Sequence, residues 1–103
     1  MQIAVCIPCL NEEATVGKVI DDFRRELPEA KIYVGDNNSR DRTAEAARAR
    51  GAEVVAGRRR GKGSTVRELL ERVRADVYIL VDGDDTYRAE DVSLLLGPVR
   101  AGE

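Results

Sequence analysis

Three aspartates stand directly after an apolar segment near the end of the sequence. In "VDGDDTY", Asp82, Asp84 and Asp85 follow the run "ADVYILV", and Gly83 allows the backbone to turn tightly. Two carboxylates about 4 Å apart repel each other by about 4 kcal/mol in a protein-like medium. A divalent cation reverses the sign of that energy, and oxygen ligands suit Mg²⁺ or Mn²⁺. The turn therefore predicts a metal site, and the alternative is a solvated acidic turn in which Asp85 caps the next helix.

A basic turn, "RRRGKGST", follows the third apolar segment and opens a helical pattern, a place where anions bind readily. It does not fit the P-loop pattern, because only three residues separate Gly57 from Gly61 and Gly63 stands where the magnesium-binding hydroxyl belongs. An exposed cationic loop is the alternative to a phosphate-binding one. The candidate hydrogen-bond donors to phosphate are Arg58, Arg59, Arg60 and Lys62.

A second polar turn, "GDNNSRDRT", follows the second apolar segment. Asp36 at its start could accept hydrogen bonds from a base or a ribose, as acidic residues at strand ends do in dinucleotide sites. The alternative is ordinary helix capping by Asn38, Ser39 or Asp41. One helix needs one cap, so we expect capping to explain only some of these residues.

Cys6 and Cys9 form a C-x-x-C pair in the first apolar segment. In an extended chain three residues span about 10 Å, which is beyond the reach of a disulfide. A redox pair of this kind needs its first cysteine at a helix N-terminus, whereas the helix signals here begin at residues 11–13. We therefore expect Cys6 in the core and Cys9 in the wall of a ligand-binding loop, rather than a thiol oxidoreductase.

Apolar runs alternate with segments of helical periodicity, which predicts an α/β fold with a parallel sheet and helices on both faces. If the strand order is 3-2-1-4, the three most polar junctions, "PCLNEE", "GDNNSRD" and "DGDDTY", meet at the carboxyl ends of strands beside a topological switch point. Thr65 and Glu68 have the spacing of a capping box for the third helix. The predicted strands are 2–8, 30–35, 52–56 and 75–81, and the predicted helices are 13–27, 41–50, 66–73 and 92–99.

The composition narrows the class of protein. The chain has 103 residues, a net charge of −2 and no histidine. That length suits a single domain, 1–103, and the charge gives no reason to expect a nucleic-acid partner. We expect no membrane span and no signal peptide, because every apolar run is too short. Two closely spaced cysteines favour a reducing compartment, so we expect a cytoplasmic location.

Four segments, "IPCLNEEATVGKVIDDF", "VGDNNSRDRT", "GKGSTVREL" and "VDGDDTY", together resemble the N-terminal half of family 2 glycosyltransferases of the GT-A fold. The likeness is nearest to the branch that contains polyprenyl-phosphate sugar synthases such as dolichyl-phosphate mannose synthase. The resemblance implies a Rossmann-like half of a GT-A fold, a UDP- or GDP-sugar donor, a divalent metal and inverting transfer. It also implies a polyprenyl phosphate as a candidate acceptor, and the inner face of the membrane as a candidate location for a longer parent protein.

Each position that matches a family motif takes a role from the resemblance. Asp36 would contact the base, with Asn38 in the same wall, and Asp82 and Asp84 would hold the metal. The implied nucleotide-binding residues are Pro8, Leu10, Asn11, Glu12, Asp36, Asn38, Lys62, Arg67, Asp82 and Gly83.

The family continues for a further domain-scale half that carries the acceptor site and the catalytic base, so no catalytic residue is assigned within this chain. We expect the 103 residues alone to transfer no sugar. Two alternatives remain open at this point. One is a module that binds a nucleotide-sugar without transferring it, and the other is a nucleotidyltransferase-like enzyme.

Overall fold

Strands and helices alternate along the chain in the computed structural model, which describes residues 1–81 and 93–96. The predicted alternation is confirmed as far as the fourth strand, with boundaries shifted by a few residues. The elements are β1 (Ile3–Cys9), α1 (Val16–Glu26), β2 (Lys31–Asp36), α2 (Thr43–Ala49), β3 (Glu53–Ala56), α3 (Lys62–Arg72), β4 (Val77–Leu80) and β5 (Ser93–Leu96).

The five strands form one sheet in the order β3-β2-β1-β4-β5. The first four are parallel, which confirms the predicted order 3-2-1-4, and β5 pairs antiparallel with β4. The helix predicted at 92–99 is therefore wrong for residues 93–96, where Ser93 pairs with Leu80 and Leu96 with Val77. The reason is that a short run of leucines satisfies the helical and the extended period equally well.

Helix α3 also differs from the expectation at its start. It begins at Lys62, after Gly61, so Thr65 lies within the first turn and no side chain caps the helix. The capping box predicted for Thr65 and Glu68 is therefore wrong. The Thr65 hydroxyl instead donates a hydrogen bond to the Gly61 carbonyl at 3.1 Å. Thr65 is fully buried, and a buried hydroxyl needs such a partner.

Both faces of the sheet are covered, as predicted. Strand β1 is buried from residue 4 to residue 9, the pattern of a strand with a helix layer on each side. On one face α1 and α2 pack over a core that includes Ile7 and Ile20. On the other face α3 packs through Leu69 over a core that includes Cys6 and Tyr78. Burial of a side chain the size of Leu69 contributes about 2 kcal/mol.

Gly35 allows α3 to approach the sheet closely. A Cβ atom at this residue would lie 2.7 Å from Thr65 Cγ2 and 2.9 Å from Leu69 Cδ1. Real Cβ contacts are longer than this, so any other residue would force the helix outward. The N-terminal end of α3 is thereby placed beside the carboxyl end of β2.

The topology brings the carboxyl ends of β1 to β4 to one edge of the sheet. Strands β2 and β3 lie on one side of β1, and β4 lies on the other, so the chain reverses its direction of winding between β1 and β4. Crevices at such switch points bind ligands in α/β sheets. The Val81 N–H donates to the Cys6 carbonyl at 3.2 Å, which ties the residue before the acidic turn to the carboxyl half of β1. None of the helices described is long and apolar enough to cross a membrane.

Candidate functional site

A cleft of about 600 Å³ opens at the carboxyl ends of β1 and β2. Three loops line it. The end of β1 and the loop after it contribute residues 8–12, and the loop after β2 contributes Asn37, Asn38 and Arg40. The loop before α3 and the first residue of that helix contribute residues 60–62. Parallel strands that end at one edge explain why residues so distant in sequence share one cavity.

The first two loops are joined by a reciprocal pair of hydrogen bonds. The Asn11 N–H donates to Ser39 Oγ at 2.9 Å, and the Arg40 N–H donates to Asn11 Oδ1 at 2.8 Å. Asn11 and Asn38 both have left-handed backbone conformations, with φ of 54° and 58°. Asparagine tolerates this region better than most residues, which explains its presence at both turns.

A second set of bonds joins the starts of α1 and α2. The Glu12 N–H donates to Thr43 Oγ1 at 2.9 Å, and the Glu13 N–H donates to Asp41 Oδ2 at 3.2 Å. The Arg42 N–H returns a bond to Glu13 Oε1 at 3.3 Å. The hydrogen bond from the Thr43 hydroxyl holds the pKa of Asp41 below its ordinary value. Each loop therefore satisfies N–H groups of the other, so the first two walls of the cleft are fixed together.

The third wall is the basic loop, residues 57–61, which carries Arg58, Arg59 and Arg60. The Gly57 N–H donates to the Asp36 carbonyl at 2.9 Å, and the Gly61 N–H donates to Asn37 Oδ1 at 3.1 Å. The basic loop is thus attached to the carboxyl end of β2 at both of its ends.

Positive charge dominates the described lining of the cleft. Arg40, Arg60 and Lys62 contribute cations, and Glu12 contributes a carboxylate. Within residues 1–81, neither Arg40 nor Arg60 forms an ion pair. The apolar part of the lining includes Leu10, whose side chain is 50% exposed. A ligand with an anionic part and a flat apolar part would match both regions.

Comparison with known proteins identifies the family. Residues 4–103 match the sequence model described as glycosyl transferase family 2. The chain belongs to glycosyl transferase family 2. Its membership and its Rossmann-like GT-A fold confirm the expected family and fold class.

Three members show how the chain compares with longer proteins. Protein RfbJ of Shigella flexneri is 53% identical over 87 residues, which cover 84% of this chain and 67% of RfbJ. The dolichyl-phosphate hexose transferase of Haloferax volcanii is 32% identical over 100 residues, which cover 97% of this chain and 44% of that protein.

The third is a crystal structure of glucosyl-3-phosphoglycerate synthase from Mycobacterium tuberculosis in complex with Mn²⁺ and UDP-glucose. It superposes with a TM-score of 0.72 at 33% identity, covering 81% of this chain and 33% of the synthase. The chain therefore spans between one third and two thirds of the length of these three relatives.

The cleft brings together six of the nucleotide-binding residues that the family resemblance implied. These are Pro8, Leu10, Asn11, Glu12, Asn38 and Lys62. Asp36 and Arg67 do not line it. The Asp36 carboxylate accepts a hydrogen bond from the Ser39 N–H at 3.0 Å, and Arg67 is exposed on α3. Asp82, Gly83 and Asp84 lie outside the described residues, so their roles stay predictions.

Three lining residues, Asn37, Arg40 and Gly61, were not assigned to the site from the sequence. Asn37 is only 8% exposed, and its side chain bonds to the basic loop. Arg40 lies in the same polar turn, but its charge alone did not distinguish it from Arg42. Of the four candidate phosphate donors, Arg60 and Lys62 line the cleft, whereas Arg58 and Arg59 do not.

The two cysteines lie on opposite faces of β1. Cys6 belongs to the core under α3, and Cys9 to the core under α1 and α2. Both thiols are free and buried, and burial raises the pKa of Cys6 to about 12. A dithiol redox site needs two adjacent thiols and an accessible thiolate, so this arrangement excludes it.

The donor set for a metal is incomplete in the described part of the chain. No group of three His, Cys, Asp or Glu side chains gathers within residues 1–81. Glu12 is the carboxylate that the described lining supplies. A hard cation in this cleft would therefore depend on Asp82 and Asp84, the pair that the sequence predicts for it.

Proposed function

We propose that this chain is the donor-binding half of a metal-dependent, inverting glycosyltransferase that uses a UDP-sugar. The observation that carries the proposal is the cleft itself, in which Arg40, Arg60 and Lys62 border the same cavity as Pro8 and Leu10. Its volume of about 600 Å³ lies in the range of small-molecule sites, roughly 300–1,000 Å³.

The two parts of a nucleotide would occupy different parts of the cleft. Leu10 offers an exposed apolar surface on which a base can pack, and Asp36 and Asn38 remain the predicted contacts for the base edge. Arg60 and Lys62 would bind the diphosphate, because they flank the start of α3, where the helix dipole also favours an anion. Arg67 is the further predicted contact on that helix.

Asp82 and Asp84 would hold the metal, with Gly83 allowing the close turn between them. A divalent cation bound there would neutralise negative charge on the leaving diphosphate. The UDP-glucose complex of the related synthase contains Mn²⁺, which supports Mn²⁺ as the first choice and leaves Mg²⁺ as the second. The same complex favours a UDP-sugar over a GDP-sugar.

Transfer would proceed by attack of an acceptor oxygen on the anomeric carbon of the sugar. The bond from that carbon to the diphosphate oxygen breaks, its electron pair stays on the diphosphate, and Arg60 and Lys62 stabilise the resulting charge. We assign the base that takes the acceptor proton to the part of the enzyme that the longer relatives have and the matched region lacks. A polyprenyl phosphate is the proposed acceptor, supported by the dolichyl-phosphate hexose transferase, and it would place the enzyme at the cytoplasmic face of a membrane.

A second candidate is a module that binds a nucleotide-sugar without transferring it. The described lining contains one carboxylate, that of Glu12, and it accepts a hydrogen bond from the Thr15 hydroxyl at 3.3 Å. We assign no base among the described residues. This candidate predicts the same binding and differs only in turnover.

Thermal unfolding with UDP, GDP, CDP and ATP, each with and without Mn²⁺, tests the proposal. Saturation at one hundred times Kd raises the free energy of unfolding by about 2.7 kcal/mol, which raises Tm by on the order of ten degrees. We expect the largest increase with UDP and Mn²⁺ together, and its loss in Asp84→Asn.

Glu71→Gln, which removes one exposed negative charge on α3, is the control and should keep the full increase. An increase that does not depend on Mn²⁺, or one that Asp84→Asn preserves, would contradict the metal site. We expect no sugar transfer by the 103 residues alone, so efficient transfer would contradict the assignment of the base to another part of the enzyme.

A further inference from the structure

A hydrogen bond attaches the basic loop, residues 57–61, to the rest of the chain at each of its ends. At one end the Gly57 N–H bonds to the Asp36 carbonyl, and at the other the Gly61 N–H bonds to Asn37 Oδ1. The three arginines between these anchors are exposed. Of these two N–H attachments, the one at Gly61 is made by a side chain, so it depends on Asn37.

Asn37 is itself fixed from two sides. Its N–H donates to the Cys9 carbonyl at 2.8 Å, which ties it to the end of β1. Its side chain is 8% exposed, and within residues 1–81 it is one of three buried polar residues, with Thr43 and Thr65. Burial of an amide is costly unless the amide is hydrogen-bonded. The bond to Gly61 therefore offsets part of the cost of burying the Asn37 side chain.

Gly61 has a conformation that few other residues could adopt. Its φ is 113°, a region open to glycine and strained for residues with a Cβ. Its carbonyl accepts bonds from the N–H and the hydroxyl of Thr65, both at 3.1 Å. Both polar groups of Gly61 are therefore held, one by Asn37 and one by α3. The neighbours on either side of it, Arg60 and Lys62, are the two cations of the basic segment that line the cleft.

We propose that Asn37 is a positioning residue for the nucleotide-binding step. Its side chain holds Gly61, and through Gly61 it sets where Arg60 and Lys62 enter the cleft. This inference rests on the proposed function, because it assumes that those two cations bind the diphosphate. Oδ1 must face Gly61, since the partner is an N–H donor, so the orientation of the amide is determined.

The contact fixes the backbone from which Arg60 and Lys62 extend before a ligand binds. A loop that must be ordered on binding reduces affinity, and a loop already held in place does not. Loss of one buried hydrogen bond corresponds to about tenfold in an equilibrium constant. We therefore expect Asn37→Leu, which keeps the branched shape but removes the acceptor, to weaken UDP binding in the presence of Mn²⁺ by about tenfold.

The decisive experiment is a double-mutant cycle measured by calorimetric titration of UDP with Mn²⁺. It compares Asn37→Leu in the natural sequence with Asn37→Leu in a background of Arg60→Ala and Lys62→Ala. If Asn37 acts through the two cations, its replacement should weaken binding about tenfold in the first case and less than twofold in the second. Equal losses in the two backgrounds would overturn the inference, because they would mean that Asn37 acts independently of the two cations.

Hydrogen exchange at the Gly61 amide gives a readout that needs no ligand. Protection should be kept in Asn37→Asp, whose carboxylate can still accept the bond, and lost in Asn37→Leu. Unchanged protection in Asn37→Leu would overturn the inference. Gly61→Ala leaves Asn37 intact but strains the backbone, so it should weaken UDP binding to a similar degree, and unaltered binding in this variant would also overturn it.

The two proposals fail in distinguishable ways. If the natural chain binds no nucleoside diphosphate, the proposed function fails and the inference fails with it. If the natural chain binds UDP and Asn37→Leu binds it equally well, only the inference fails.

Discussion

Replacement of Gly35 by alanine tests whether the close packing of α3 on β2 holds the third wall of the cleft in place. The new methyl group would lie 2.7 Å from Thr65 Cγ2 and 2.9 Å from Leu69 Cδ1. Thr65 and Leu69 are 1% and 0% exposed, so neither side chain can swing into solvent to make room. The helix itself must move away from the sheet, and Lys62 at its first turn must move with it.

Two opposing effects set the size of the change. Overpacking of this kind costs about 1–3 kcal/mol. Replacement of glycine by alanine also restricts the unfolded chain, which stabilises the folded state by about 0.4–1 kcal/mol. We therefore expect the free energy of unfolding to fall by about 1–2 kcal/mol in Gly35→Ala.

Urea unfolding measures this change, and Gly63→Ala is the matched control. Gly63 lies in the first turn of the same helix, and a Cβ there would meet no atom within 4 Å. Alanine is favoured over glycine in helices by about 1 kcal/mol, so this variant should be more stable than the natural chain. Thr65→Ser removes the closest methyl group, so it should recover part of the loss in Gly35→Ala. A Gly35→Ala variant as stable as the natural chain would refute the reasoning.

Two further predictions concern ionisable groups. Burial raises the pKa of Cys6 from 9.0 to about 12, so above pH 9 the unfolded chain loses a proton that the folded chain keeps. The free energy of unfolding should then fall by about 1.4 kcal/mol more per pH unit than that of Cys6→Ala. Urea unfolding of both proteins above pH 9 measures this difference. The same dependence on pH in the two proteins would contradict the burial of the thiol. The hydrogen bond from the Thr43 hydroxyl lowers the pKa of Asp41 below the ordinary value of 3.8. The Asp41 carboxylate therefore stabilises the folded chain above pH 3.8, and this stabilisation is lost as the pH falls through the lowered pKa. Asp41→Asn should therefore lose more stability at pH 5 than at pH 3, and a pH-independent difference would contradict the bond.

The sequence predicted the parallel part of the sheet because its strands coincide with short, nearly continuous apolar runs. The run before Cys9 is apolar at nearly every position, as a strand covered on both faces must be. The same reasoning failed at residues 93–96, where three successive leucines fit either period and only pairing with β4 decides the outcome. It failed again at Thr65, because a hydroxyl near a helix start can serve the core as well as a cap.

Neighbouring asparagines show why the site was only partly predictable. Asn38 was expected in the cleft from the family pattern, and it lines the cleft with a left-handed backbone. Asn37 has the same side chain one position earlier, yet it is buried and bonds to a loop 24 residues away. Composition and spacing cannot distinguish the two, since the difference arises only when the basic loop folds back onto β2.

The cross-loop bonds determine how a change at one wall of the cleft reaches the others. Asn11 joins the first loop to the second, and Asn37 joins the second to the basic loop. The backbone groups of each loop find partners on the next, so displacement of one loop leaves unpaired groups on its neighbour, at about 1–3 kcal/mol for each buried one. The three described loops of the cleft are therefore held together without a ligand, and little binding energy is needed to order them. Substitutions in one loop should accordingly alter the affinity for parts of the ligand that another loop contacts.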